Sequence, residues 1–169
     1  MDDRVPYEPE GAALSADMDL RLDDFLPHRL DVLAEILNQA MSDLVQRRFG
    51  LALPEWRVLV TLGQHQGITA KEIGTAARMH KTKVSRAVAG LEEKGYLARQ
   101  LNRADLREAF LSLTPRGRKV YLQITPVALR FARQLNQALD AGEVPALDSL
   151  ISRLTERAEK LSREIAERV

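Results

Sequence analysis

A helix that is cationic and slim on one side needs the rest of its chain to cover the other side. The stretch Lys81 to Gly95, Lys-Thr-Lys-Val-Ser-Arg-Ala-Val-Ala-Gly-Leu-Glu-Glu-Lys-Gly, imposes that condition. Val84, Ala87, Val88 and Leu91 recur at i, i+3, i+4, i+7, the stripe that packs a helix onto a core. At 100° per residue Thr82, Ser85, Arg86 and Ala89 point the opposite way, flanked by Lys81 and Lys83. A helix that only meets water usually mixes Glu and Lys there. A narrow, cationic, hydrogen-bonding face without bulk instead suits the DNA major groove. Glu92 and Glu93 enter only in the last turn, where a groove-docked helix is already leaving the DNA.

The flanking segments supply a scaffold. Pro54-Glu55-Trp56 opens a helix that runs to Gly63, with Pro at its first position. Gln64 to Thr69 reads as a turn, after which Thr69 and Glu72 form a capping box for a short helix. There Ile73, Ala76 and Ala77 face inward, and Lys71 and Arg78 stay outside. Two helices joined by the break at Met79 and His80 make a helix-turn-helix. Tyr96 to Leu101 and Arg107 to Leu113 read as strands joined by Asn102-Arg103-Ala104-Asp105-Leu106, a hairpin with two arginines near its tip. Such a hairpin is a wing, which reaches phosphates or an adjacent minor groove.

Helices bracket this unit. From Asp23 or Asp24 one runs to about Arg48, with Leu26, Leu30, Leu33, Leu37, Ala40 and Leu44 in register and Gly50 as its stop. Thr114-Pro115 starts another, to about Leu139, with Pro126 as an expected kink. After a turn from Asp140 to Pro145, Leu147, Ile151, Leu154, Ala158, Leu161 and Ile165 repeat at four-three spacing, a seam suited to a second chain. The fold class expected is mainly α: a winged helix-turn-helix with a small β-hairpin and a helical dimerisation region. Its parts are an N-terminal arm (1–22), a first dimerisation helix (23–50), the DNA-binding domain (51–115) and C-terminal dimerisation helices (116–169).

Charge follows this division. Residues 1–53 carry five Arg against eleven Asp or Glu, net −6; residues 54–115 carry ten basic against six acidic, net +4; residues 116–169 carry ten against seven, net +3. The positive excess begins with the helix-turn-helix and points to an anionic partner. No apolar run approaches a membrane span of roughly 18 residues, and the acidic N-terminus lacks the regions of a signal peptide, so a cytoplasmic protein is expected. Cysteine is absent, which removes disulfides and thiol chemistry. His28, His65 and His80 stand far apart, and no phosphate loop, nucleophile elbow or paired inward carboxylates occur. Neither enzyme activity nor a metal or cofactor is expected.

The ordered blocks Pro54-Glu55-Trp56-Arg57-Val58-Leu59, Thr69 to Ala77, Lys81 to Gly95, Asp105-Leu106-Arg107 and Leu111-Ser112-Leu113-Thr114-Pro115-Arg116-Gly117 resemble the MarR family of winged-helix transcriptional regulators, and the resemblance extends over residues 24–167. It implies a homodimer on a palindromic operator, usually as a repressor. Lys71, Lys81, Thr82, Lys83, Ser85, Arg86, Arg103 and Arg107 are then the DNA-binding set, Arg107 as the family's wing arginine in the minor groove and Asp105 as the wing's brace. Asn102 and Leu106 depart from the Asp and Arg frequent in the family. The pairing of Leu26-Pro27-His28-Arg29-Leu30 with Glu55-Trp56-Arg57 is similar to members that control aromatic-acid breakdown and release DNA on binding such acids or their thioesters. In those the ligand lies between the first, second and fifth helices. Trp56 would offer a stacking face, and His28 and Arg29 would meet a carboxylate.

Plainer readings exist for each feature. Trp56 would serve equally as core, His28 and Arg29 as surface groups, and the hairpin arginines as a solvated turn. The alternative for the whole chain is a winged-helix adaptor that binds another protein without responding to a ligand.

Overall fold

The computed structural model describes residues 19–65, 67–101 and 109–168. By its contacts the chain divides into two units, Met1–Asp43 and Leu44–Val169. Among the described residues there are six α-helices and a three-stranded antiparallel sheet of order β1-β3-β2. The mainly helical winged fold expected from the sequence is the fold observed.

Helix α1 spans Leu26–Phe49. It starts later than the acidic caps suggest, because Leu22–Asp24 close into a 3-10 turn through bonds from Asp24 N to Arg21 O and from Phe25 N to Leu22 O. Pro27 then falls in the first turn of α1, where a missing N–H costs nothing. In the unit ending at Asp43, Leu26, Leu30, Val32, Leu33 and Ile36 are all exposed. The expected 1–22 arm lies mostly outside the described residues.

In the second unit, α2 (Leu53–Gln64) and α4 (Lys81–Glu93) are the central pair. Val58, Leu59 and Leu62 of α2 and Val84, Ala87, Val88 and Leu91 of α4 are buried, together with Val45, Leu51 and Ile73. Each fully buried Val or Leu contributes roughly 1.5 to 3 kcal/mol relative to exposure. Between these helices, α3 (Ala70–Ala76) is capped as expected. Glu72 N donates to Thr69 Oγ1 at 3.3 Å, and Thr69 N and Oγ1 donate back to the Glu72 carboxylate at 2.7 and 2.9 Å. Only Ile73 of α3 is buried; Ala76 is exposed and Ala77 half-buried, because seven residues present just one inward position.

The segment expected to be only a turn contains strand β1 (Ile68–Thr69), which pairs with β3 (Ala109–Leu113) through Ile68 opposite Leu111 and Thr69 opposite Phe110. Strand β2 (Leu97–Leu101) pairs with the other edge of β3, from Leu97 opposite Leu113 to Leu101 opposite Ala109. Tyr96 stays outside the strand because its N–H closes α4 on Leu91 O while Gly95 takes φ +71°. Residues 102–108, which carry the expected wing tip, lie outside the described residues.

Helix α5 spans Pro115–Asn136, capped by Thr114, and continues through Pro126. It ends before Leu139 because the next three N–H groups bond three residues back, the tighter 3-10 pattern. Helix α6 (Glu143–Arg168) begins inside the expected turn: the Glu143 carboxylate accepts from Asp140 N at 2.8 Å, and Pro145 occupies the first turn. No residue of α6 is buried.

Candidate nucleic-acid interface

The buried stripe of α4 fixes where its other side faces. Lys81, Thr82, Lys83, Ser85, Arg86 and Ala89 are all exposed, opposite Val84, Ala87, Val88 and Leu91. His80 caps the helix, its Nδ1 accepting from Thr82 N at 3.4 Å, a long and weak bond. The first four N–H groups of a helix have no intrahelical partner, so this end of α4 carries partial positive charge beside its lysines.

The exposed face divides between two clefts. One, of about 640 Å³, is lined by Lys71 of α3, Lys81 and Ser85 of α4 and Arg99 of β2. The other, of about 440 Å³, is lined by Pro54 and Glu55 of α2 and by His80, Thr82, Lys83 and Arg86. Six of the sequence-derived DNA-binding residues therefore share one surface: Lys71, Lys81 and Ser85 on one flank of the helix, and Thr82, Lys83 and Arg86 on the other. Arg103, Asp105 and Arg107 lie outside the described residues. His28 is half-buried and Arg29 exposed in the first turn of α1. Trp56 belongs to the other unit; its ring is half-buried, and its indole Nε1 is buried with no hydrogen-bond partner among the described residues.

Two ion pairs hold the last turn of α4. Arg99 Nε and Nη2 donate to the two oxygens of Glu92 at 2.5 and 2.7 Å, a bidentate pair between wing strand and helix. The hydrogen bond with Glu92 raises the Arg99 pKa above the usual arginine value. Lys94 Nζ reaches Glu55 Oε1 at 2.6 Å, tying α4 to α2. The sequence reading missed Arg99. Alternation from buried Leu97 puts Arg99 on the same face of β2, where Glu92 meets its half-exposed side chain.

The turn before α4 is tethered as well. Arg78 takes a left-handed φ of +48°, uncommon without glycine, and pairs with Glu159 of α6 at 2.6 Å.

Residues 49–108 match the MarR family model. The uncharacterized HTH-type transcriptional regulator YwoH of Bacillus subtilis (strain 168) is 29% identical over 110 residues, 65% of this chain and 79% of its own. A crystal structure of a MarR/EmrR family transcriptional regulator from Acinetobacter sp. ADP1 is similar with a TM-score of 0.77 at 25% identity, covering 83% of this chain and 99% of that one. The crystal structure of the S. aureus MepR-DNA complex shares the fold with a TM-score of 0.73 at 20% identity, over 79% of this chain and 98% of that one. The fold and the relatives are those of transcriptional regulators, not of enzymes. Among the described residues no helix is long and apolar enough to cross a membrane.

Proposed function

We propose that this chain, which the family model and the solved neighbours support as a DNA-binding, MarR-family winged-helix transcriptional regulator, works as a homodimeric repressor of a palindromic operator. The observation that carries the reading is the exposed face of α4, where Lys81, Thr82, Lys83, Ser85 and Arg86 stand opposite a completed core. Arg86 is the candidate for a bidentate contact to guanine, Thr82 and Ser85 for shorter base contacts, and Lys71, Lys81 and Lys83 for phosphates. Arg103 and Arg107 would extend the contact from the wing, with Asp105 bracing them. The exposed apolar stripe of α6 supports a second copy as partner. A two-fold dimer would set its reading helices against half-sites about 34 Å apart.

The test is duplex binding across a salt series. Affinity for DNA should fall steeply with salt, with a slope near 0.9 per phosphate contact. Salt-insensitive binding, or none, would favour the protein-interaction adaptor.

The repressor reading includes an effector: a small aromatic carboxylate or its thioester that relieves DNA binding by favouring a dimer whose reading helices no longer match the half-sites. Trp56 supplies the aromatic face for this reading: its ring is half-buried, and its indole Nε1 has no hydrogen-bond partner among the described residues. Calorimetry against a panel of aromatic acids and thioesters should find one that binds wild type, binds Trp56→Leu more weakly, and releases the operator. No heat from any of them would end the proposal.

A further inference from the structure

Glu55 is a buried carboxylate that does more than cap the start of α2. Only 7% of its surface is exposed, between two helices already joined by Val58, Leu59, Val88 and Leu91. Both of its oxygens are committed: Oε2 accepts from Ala52 N at 2.8 Å, and Oε1 accepts from Lys94 Nζ at 2.6 Å. The carboxylate also lies directly against the α4 backbone. A Cβ built on Gly90 would sit 2.2 Å from Glu55 Oε1, so a side chain at that position could not coexist with this arrangement.

Burying a charge pair stabilises little, and well-packed apolar groups often serve as well or better. What an ion pair adds is direction. Apolar surfaces tolerate small rotations and slides, whereas a carboxylate bonded at both oxygens and seated on a glycine accepts one setting. We infer that Glu55, with Lys94 and Gly90, is a positioning element that fixes the rotation and height of α4 for reading bases; the inference rests on the DNA-reading role proposed above. Side-chain tips stand roughly 6 Å from a helix axis, so a rotation of roughly 20° displaces them by about 2 Å. That exceeds the whole distance range of a good hydrogen bond. Arg86 lies one turn before Gly90 and would lose a bidentate base contact, whereas contacts to phosphates, made by long flexible lysines, would adapt. Sequence discrimination should therefore suffer and non-specific affinity should not.

The experiment measures affinity for a selected operator duplex and for a scrambled duplex of equal length, using wild type, Glu55→Ala, Gly90→Ala and the double variant. Glu55→Ala and Gly90→Ala should each bind operator about ten- to a hundredfold more weakly, the value of one bidentate base contact, with scrambled-duplex affinity unchanged. With the carboxylate gone there is nothing for the new methyl to strike, so Gly90→Ala should cost nothing further in the Glu55→Ala background. Ile124→Val, a core change in α5 away from α4, should lower the unfolding midpoint and leave the operator-to-scrambled ratio as in wild type. If Glu55→Ala does not fold, Lys94→Gln, at a half-exposed side chain, should show the same selective loss. Wild-type discrimination in Glu55→Ala or Lys94→Gln, or full additivity of the two alanine substitutions, would overturn the positioning role while leaving DNA reading intact. A wild type that binds no duplex would remove the DNA reading and this inference with it.

Discussion

Helices α4 and α6 carry comparable apolar repeats and meet opposite fates. Val84, Val88 and Leu91 of α4 retain at most 2% of their surface, while Leu147, Ile151, Leu154, Leu161 and Ile165 of α6 retain between 41% and 62%. Period alone makes both amphipathic, and what differs is whether the chain itself supplies the covering surface. For α4 it does, through α2, α3 and the sheet. A stripe left open at this scale is costly in water unless another surface takes it, and this separates a core completed within the chain from a face that the described residues leave uncovered.

That contrast can be broken by substitution. In a two-fold interface each change counts twice, so Leu154→Ala should weaken the dimer by roughly 3 to 6 kcal/mol and leave the far-ultraviolet circular dichroism of the reading head intact. Sedimentation equilibrium reads the first, and unchanged self-association would locate the interface elsewhere. Leu91→Ala should do the reverse, costing roughly 2 to 5 kcal/mol of unfolding free energy without changing subunit affinity, as denaturant melts at several concentrations would report. Arg86→Ala lies on the head's outer face and should cost about 1 to 3 kcal/mol of operator affinity at unchanged stability, relaxing preference at one base pair.

The smallest effect is a local one. Hydrogen bonds from the Thr69 backbone N–H and then its hydroxyl hold the Glu72 carboxyl below the usual glutamate pKa. A depressed folded-state pKa means the capping box contributes fully above the ordinary glutamate range and is lost as pH falls through the folded value. A carboxyl titration by NMR should show Glu72 ionising below the chain's exposed glutamates. A midpoint at or above theirs would contradict the cap.

The long elements were legible because helix periodicity is local: the inner and outer faces of α4 follow from its own residues, as does the Thr69–Glu72 cap. What stayed hidden depended on partners distant in sequence. Strand β1 is two residues, too short for any alternation to register, and exists because β3 runs beside it. Glu55 and Lys94 are 39 positions apart, and Gly90 looks like a mere weak point in a helix until the carboxylate lying against it is seen. Ala76 reads as apolar by type, but a seven-residue helix had no second surface to give it.

Base reading by α4 is open to selection of bound sequences from random duplex DNA. Enrichment of an inverted repeat is expected, with half-sites one helical turn apart and preference lost in Arg86→Ala at one symmetric position per half-site. Enrichment of no sequence, or of a single asymmetric site unaffected by Arg86→Ala, would contradict it.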